Sequence, residues 1–413
     1  VSTTKARTVP ISLLGEVTLG KMVQPTRKNE IDELRPYLRA AHLPAPGTLS
    51  LDVSEQQMYF SPAELDRLDL QKGDVVIVEG GAGYGRSAYM DDDLDGWGFQ
   101  NSIVRVRPYP DVSVGRYVYY ALQQAQADRQ IELEVSTATL PHFTAEKVGR
   151  FRLPLPPLET QRAIADYLDR ETAEVDAMSA DLDEMEALLT ERRGSIIRAH
   201  LLPEDGEYTR VKLVANVSLG KTVQSARKRP DEVQRNYVRA AHIQPHGRLV
   251  LDEQAMWFTP QELEQLTLRE NDVLVVEGGA GYGRSVVLHE DMPDWGFQNH
   301  VIRVRPNVGV VGEFVHYTFL AHYSAGLIDL HADGATIPAL SSDKARELPI
   351  LSVDTDEQRH IARTVSRETA EIDAMLADIT ELRDLLAERR AAVITAAVTG
   401  QIDVPTTQET TNG

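Results

Sequence analysis

Two stretches of the chain place apolar residues in alternating steps of three and four. The first runs Ile164, Leu168, Val175, Met178, Leu182, Met185, Leu189 and Ile196, with Glu171 and Arg192 filling the gaps. The second runs Ile361, Val365, Ile372, Met375, Ile379, Leu382, Leu386 and Val393. This spacing is a heptad seam and predicts two helices of about forty residues, each roughly 60 Å long. Pro154, Pro156 and Pro157 precede the first, and Asp354 with Glu357 reads as a capping box opening the second. A stripe so narrow must be buried against another helix. Either the two helices pair with each other, leaving exposed remainders for a partner's helices, or each folds back on its own neighbouring domain.

The remaining sequence follows a different period. Asp74–Glu79 and Asp272–Glu277 enclose short β-branched runs bounded by turn residues, which predict strands. Ile103–Arg107 and Val301–Arg305 alternate apolar and basic residues, the pattern of half-buried strands. Ser61-Pro62-Ala-Glu64 and Thr259-Pro260-Gln-Glu262 have the form of capped helix starts with proline in the first turn. These segments make two mixed α+β regions, roughly 8–152 and 208–347.

The chain is written twice. The ten residues VEGGAGYGRS occupy Val78–Ser87 and return unchanged at Val276–Ser285. Leu19-Gly-Lys21 returns as Leu219-Gly-Lys221, Arg39-Ala-Ala-His42 as Arg239-Ala-Ala-His242, and Trp97-Gly-Phe-Gln-Asn101 as Trp295-Gly-Phe-Gln-Asn299. Arg105-Val-Arg-Pro108 returns as Arg303-Val-Arg-Pro306, and Arg170-Glu-Thr-Ala-Glu174 as Arg367-Glu-Thr-Ala-Glu371. The offset drifts only from 200 to about 197, far too long a period for a solenoid. Each copy is a domain plus a helical connector. Close matching of polar segments suggests that both copies do the same job on a partner with matching two-fold symmetry.

Composition narrows the chemistry. The 413 residues contain no cysteine, which excludes disulfides, cysteine-based metal sites and thiol catalysis. No run of eighteen apolar residues predicts a membrane span. The start, Val1 to Arg7, lacks the apolar core of a secretory signal, and the absence of cysteine fits a cytoplasmic protein, the expected location. The net charge of −20 argues against nucleic-acid binding at first sight. Half of that deficit lies on the two helical stretches, however: 11 acidic against 5 basic residues over 158–202, and 10 against 6 over 354–400. Basic faces on the globular domains are therefore compatible with the total.

Catalytic patterns are missing. Gly80-Gly-Ala-Gly-Tyr-Gly85-Arg86-Ser87 fits a phosphate-binding loop with arginine for lysine, but an acidic run follows where a helix is needed, and Glu79 precedes it. The segment reads either as a glycine-rich loop that approaches a ligand closely, with Tyr84 and Arg86 reaching out, or as a tight β-turn. The histidines are scattered, with no metal-binding spacing. A duplicated enzyme would show its catalytic set twice, and none appears.

What does repeat is a set suited to DNA. Lys21, Gln24, Arg27 and Lys28 recur as Lys221, Gln224, Arg227 and Lys228, with Arg229 added. Arg39 recurs as Arg239, Arg86 as Arg284, and Gln100-Asn101 as Gln298-Asn299. Arginine and lysine serve phosphates and guanine edges, while glutamine and asparagine bond adenine bidentately.

This layout resembles the specificity subunit of type I restriction–modification systems. The resemblance covers nearly the whole chain and rests on two globular domains alternating with two long helices. Local matches are Leu153-Pro-Leu-Pro-Pro-Leu-Glu-Thr-Gln-Arg162-Ala-Ile-Ala with Glu-Arg-Arg193, and Leu348-Pro-Ile with Glu357-Gln-Arg-His-Ile-Ala362 and Glu-Arg-Arg390. The segments Glu79-Gly-Gly to Arg86 and Gln100-Asn101 also look like that family's target-recognition domains.

The resemblance implies an α+β chain with target-recognition domains at 1–152 and 203–347. Spacer helices at 153–202 and 348–400 would form an antiparallel coiled coil, with a disordered tail at 401–413. It implies a non-catalytic subunit reading a split target in double-stranded DNA. Methyltransferase subunits, two of them, would dock on the helices, and restriction–motor subunits would join. S-adenosylmethionine would belong to the methyltransferase, which flips out an adenine; this chain would hold no cofactor or metal.

Near-identical domains further imply a palindromic or near-palindromic target, with half-sites about one DNA turn (34–36 Å) or a multiple apart. The differences Met22/Thr222, Pro25/Ser225, Asn29/Arg229 and Ser102/His300 are candidates for breaking the palindrome.

Candidate phosphate contacts are Lys21, Arg27, Lys28, Arg39 and their repeats. Candidate base contacts are Tyr84, Arg86, Gln100 and Asn101, with Tyr282, Arg284, Gln298 and Asn299. Ile164, Leu168, Met178, Leu182, Ile361, Val365, Met375 and Leu382 are candidate partner-binding positions on the helices. The competing readings are a recognition or scaffold subunit of another defence complex without methylation, a nucleotide hydrolase using the glycine loop, and a coiled-coil structural protein.

Overall fold

The computed structural model describes residues 7–51, 54–135, 141–279, 281–328 and 339–404. The tail expected over 401–413 lies, from residue 405 onward, outside the described residues. By contacts the chain divides into two units, Val1–Ala180 with Leu382–Gly413, and Asp181–Glu381. Each unit holds one globular domain, the head of one long helix and the tail of the other.

In the first domain the β-branched run forms the strand Val75–Val78 inside a four-stranded antiparallel sheet. The strand order is Gly15–Leu19, Ile103–Pro108, Val75–Val78, Ser87–Tyr89. Successive side chains on a strand point to opposite faces. Val75, Ile77, Val104 and Val106 join one core with the helix Gly115–Ala127, while Val76, Val78 and Ile103 join another with Met58, Phe60, Leu68 and Phe99. A three-stranded sheet, Gln57–Phe60, Glu33–Leu38 and Gly98–Phe99, backs the second core, and its last two strands pair in parallel.

The second domain repeats both sheets. Ala215–Leu219, Val301–Pro306, Val273–Val276 and Ser285–Val287 form one; Ala255–Phe258, Val233–Val238 and Trp295–Phe297 form the other. The helix starts are as the sequence predicts: Ser61 and Glu64, and Thr259 and Glu262, cap each other reciprocally, with proline in the first turn.

One expectation is corrected. The strands with alternating arginine are buried on both faces, not half-buried, because a core lies on each side of the sheet. Arg105 is 1% exposed and Arg303 is 4% exposed. Arg105 Nη1 donates to Asp69 Oδ1 at 3.0 Å, and its guanidinium lies over Phe99 at 5.6 Å. Arg303 Nη1 donates to the Gln265 and Thr267 carbonyls at 2.9 and 3.0 Å. Burial, reinforced by neighbouring Arg305, pulls Arg303 down to about 10.

The two heptad stretches are helices Leu158–Leu201 and Thr355–Val398, each of 44 residues. Asp354 Oδ1 accepts from Glu357 N at 2.9 Å and caps the second. Both expected packing modes occur together. In the first unit Ile164 and Leu168 of one head are buried with Ile394, Ala397 and Val398 of the other helix's tail, all in the domain core. In the second unit Ile361 and Val365 are buried with Ile197 and Leu201.

Within each unit head and tail run antiparallel and are tied by polar and charged side-chain pairs. Arg193 Nε bonds Asp373 at 2.6 Å and His200 meets Glu368 at 3.0 Å in one unit; Arg390 Nε meets Asp176 at 3.4 Å in the other. The seam shifts by one residue near each helix end, so that Ile197 and Ile394 are buried where the heptad read Ile196 and Val393. A straight helix turns every 3.6 residues, so a strict 3.5 repeat drifts by about 20° per heptad.

A buried glutamine fastens each helix head to its domain. Gln161 is 0% exposed; its Oε1 accepts from Val114 N at 3.0 Å, and its Nε2 donates to the carbonyls of Val112 at 3.1 Å and Pro156 at 3.0 Å. Gln358 repeats this with Val311 N and the Val353 carbonyl, both at 3.0 Å. Among the described residues no helix is long and apolar enough to cross a membrane.

Gln161→Ala leaves these buried backbone groups without partners and should cost about 1–3 kcal/mol of stability. Gln161→Glu should cost more, because it buries a carboxylate against the Val112 and Pro156 carbonyl oxygens. Thermal unfolding of the two variants measures both effects.

Candidate nucleic-acid interface

At one end of each domain the strand ends interlock through main-chain bonds. In the first domain Lys21 N donates to Phe99 O at 3.0 Å, Asn101 N to Lys21 O at 2.9 Å, and Gln100 N to Leu38 O at 2.8 Å. Glu79 N donates to Ser102 O at 2.9 Å. This lattice gathers Lys21, Arg39, Glu79, Gln100 and Asn101 from four separate strand ends. Gly20 permits it, since a Cβ there would stand 2.2 Å from the Gln100 carbonyl oxygen; Gly220 has the same 2.2 Å relation to Gln298. Gln298 and Asn299 are held identically by Val238 O and Lys221 O, each at 2.9 Å. All four glutamine and asparagine side chains are half-buried at this edge.

The cations there divide into two kinds. Lys21 Nζ bonds Glu64 at 2.5 Å and lies over Phe60 at 5.4 Å; Lys221 bonds Glu262 at 2.5 Å over Phe258 at 5.5 Å. Each ammonium is thus neutralised by a capping-box glutamate. Burial raises the Glu64 and Glu262 carboxyls, but their lysines and the cap bonds outweigh it and hold both below the usual carboxylate range.

Arg27, Lys28 and their repeats Arg227, Lys228 and Arg229 instead sit on an exposed loop. Gln24 and Gln224 lie at its base and serve the fold: Gln24 Nε2 donates to Asp32 at 3.2 Å, and Gln224 Nε2 to Glu232 at 2.9 Å. The Asp32 and Glu232 carboxylates then accept from the loop amides, Glu232 from Lys228 N at 2.7 Å and Arg229 N at 3.1 Å. Burial raises Glu232, yet Gln224 and the two amides pull it down to about 2. Asp32 is lowered in the same way, with Asn29 and Lys28 amides outweighing burial. Arg227 stacks over Trp257 at 5.4 Å.

Arg39 and Arg239 flank the cluster and are half-buried. Arg239 is tied to Asp252, and His242 Nε2 lies 2.7 Å from Oδ1 of the same carboxylate. Hydrogen bonds from Arg239 and His242 lower the Asp252 carboxyl.

The glycine-rich loop leads away from this edge. Gly81–Gly83 is a short 3₁₀ turn, and the strand Ser87–Tyr89 follows it where a phosphate-binding loop requires a helix. Tyr84 packs against the domain core, and Tyr282, 9% exposed, stacks edge-on with Tyr323 at 5.8 Å. Arg86 Nη1 donates to Pro44 O at 2.8 Å and, with Gln123, Gln126, Arg390 and Ile394, lines a cavity of about 380 Å³ beside the helix tail. Arg284 lines the matching cavity with Arg193 and Ile197. The structure therefore brings together Lys21, Arg39, Gln100 and Asn101, and separates Tyr84 and Arg86 from them.

Of the helix positions, Ile164, Leu168, Ile361 and Val365 belong to the unit cores, while Met178 and Leu382 are 41% and 47% exposed; Leu182 and Met375 are intermediate. One residue at the candidate edge gave no sequence signal: His142 has alanine at its repeat position, 339, yet Gly80 pairs with His142.

Residues 27–187 match the family model for the type I restriction modification DNA specificity domain. That segment runs from the exposed basic loop into the first long helix. Over that segment the chain is similar to the DNA specificity domain of type I restriction–modification systems. A curated relative, the type I restriction enzyme HindI specificity subunit of Haemophilus influenzae, is 25% identical over 101 residues. The match spans 24% of this chain and about a fifth (22%) of that relative's length. A solved structure, described as the structural basis of complex assembly and conformational transition of the type I R-M system, shares the fold. Its TM-score is 0.61, at 15% identity over 97% of this chain and 99% of that one.

The Glu232 cap makes the basic loop acid-sensitive. The folded carboxyl is lowered from 4.5 to about 2, so its stabilisation is complete above pH 4.5 and is lost as pH falls through about 2. Hydrogen-exchange protection of the Lys228 and Arg229 amides should fall across that window. Glu232→Gln should remove the pH dependence.

Proposed function

We propose that this chain is the non-catalytic, sequence-reading subunit of a type I restriction–modification complex, and that each domain reads one half of a split target in double-stranded DNA. One observation carries the reading: the same polar edge, Gln-Asn with arginine and an exposed basic loop, is built twice from identical main-chain bonds. Amide side chains fixed by the backbone suit base edges, and an exposed loop of arginine and lysine suits phosphates. Arg27, Lys28, Arg227, Lys228 and Arg229 are the phosphate contacts in this reading; Gln100, Asn101, Gln298 and Asn299 are the base contacts.

Near-identity of the two edges favours inverted half-sites separated by an unread gap. Exposed apolar side chains on the long helices, Met178, Leu382 and Leu385 in one unit and Met185 and Leu188 in the other, are the surfaces on which methyltransferase subunits dock. S-adenosylmethionine and the adenine chemistry belong to those subunits, and restriction–motor subunits join the assembly through them.

The test is sequencing of methylated bases in DNA from cells that express the chain with its companion methyltransferase. A split motif of two inverted half-sites with a fixed gap is expected. Unrelated half-sites would remove the symmetry but keep the function, and no modified motif beside an active methyltransferase would reject the reading. Asn101→Ala and Asn299→Ala should each cost about 1–3 kcal/mol and relax one position in one half-site. Lys28→Ala and Lys228→Ala should weaken binding without changing the motif.

A further inference from the structure

The two reading edges differ in one chemically pointed way. In the first domain the Glu79 carboxylate is faced by His142 Nδ1 at 3.9 Å. In the second the equivalent Glu277 carboxylate is faced by His300 Nδ1 at 3.6 Å. The two histidines come from different backbone positions.

The backbone correspondence is unambiguous. Gly80 pairs with His142, and Gly278 pairs with Ala339. Phe143 N donates to Glu79 O, and Leu340 N to Glu277 O, both at 2.7 Å. Position 142 thus corresponds to 339, where the second domain carries alanine. On the other flank, Glu79 N donates to Ser102 O at 2.9 Å and Glu277 N to His300 O at 3.0 Å. Position 102 thus corresponds to 300, where the first domain carries serine. One domain has its histidine on one side of the glutamate and a small residue on the other; the second domain reverses the two.

Both imidazoles stand in the open, with side chains 47% and 62% exposed, while the glutamates beneath them are 19% and 22% exposed. In each case Nδ1 is turned toward the carboxylate, which leaves Nε2 directed away from it. A Cβ on residue 80 would lie 2.5 Å from His142 Nδ1, so glycine there is what lets the ring settle over the strand end. Each pair adjoins its Gln-Asn turn, because residue 102 or 300 directly follows Asn101 or Asn299.

We propose that Glu79–His142 and Glu277–His300 are specificity-determining pairs, each presenting an imidazole nitrogen to the polar edge of one base pair in its half-site. The swap of positions keeps the same chemical group at both edges, so the two half-sites are matched at this base pair. This rests on the reading that the domains recognise DNA. A carboxylate 3.6–3.9 Å from Nδ1 biases which face the ring presents, so each imidazole is a more defined group than a surface histidine with no charge beside it.

The experiment uses the full chain with its methyltransferase and reads the methylated motif. His142→Ala should admit other bases at one position of one half-site, and His300→Ala at one position of the other. The double variant Ser102→His with His142→Ala gives the first domain the second domain's arrangement and should restore the wild-type motif. The proposal is overturned if both single variants keep the wild-type motif at every position, or if the double variant reads no better than His142→Ala.

Should a single variant abolish methylation, competition binding with the purified complex replaces the motif. Discrimination against a target changed at one base pair should fall about tenfold, with affinity for unrelated DNA unchanged. Equal loss on all DNA would show a structural role and overturn the proposal. Failure of the wild-type complex to give any split motif strikes the functional reading itself, and is seen before a histidine is altered.

Discussion

A buried amide at the head of each long helix decides how the rest of this protein is built. Gln161 and Gln358 each satisfy one backbone donor and at least one carbonyl where chain and helix meet. Such groups are costly to leave unpaired once water is excluded. With the head fixed, the direction of the helix is fixed relative to its own domain. The tail of the other helix then completes the same core through Ile394 or Ile197. Each domain is thus finished by residues that lie far away in sequence.

The central sheet of each domain is buried on both faces, so its polar groups emerge at the strand ends. Arg105 and Arg303, drawn inward, are compensated by main-chain carbonyls and, for Arg105, by the Asp69 carboxylate. The groups that remain at the edge are held by backbone bonds, which fixes where their side chains begin. An edge of this kind suits recognition, because little order has to be gained on binding. The acidic helices carry half of the net charge and leave the exposed basic loops to act locally.

Lys21 shows how sequence and structure divide the work. As a repeated lysine after a glycine it reads as a phosphate contact. Its partner Glu64 is 43 residues away, and only the fold reveals that the ammonium is already neutralised. Tyr84 and Arg86 read as reaching outward because glycines surround them, yet the core and the helix tail take both. Gln161 was visible within a family-like motif without its purpose. His142 gave no signal, because a search for repeats discards a group that recurs from a different position.

The sequence by itself determined the two long helices, the two mixed domains, their strands and caps, and the residue types at the polar edge. Those features rest on periodicity, capping and repetition, which act over a few residues or are visible by comparing one half of the chain with the other. The tertiary structure alone decided that each domain is completed by the opposite helix's tail. It alone decided that arginine-bearing strands are buried on both faces, which cations stay exposed and which are neutralised by carboxylates. Those outcomes depend on burial and on electrostatic partners brought together across tens to hundreds of residues, and no local pattern encodes them.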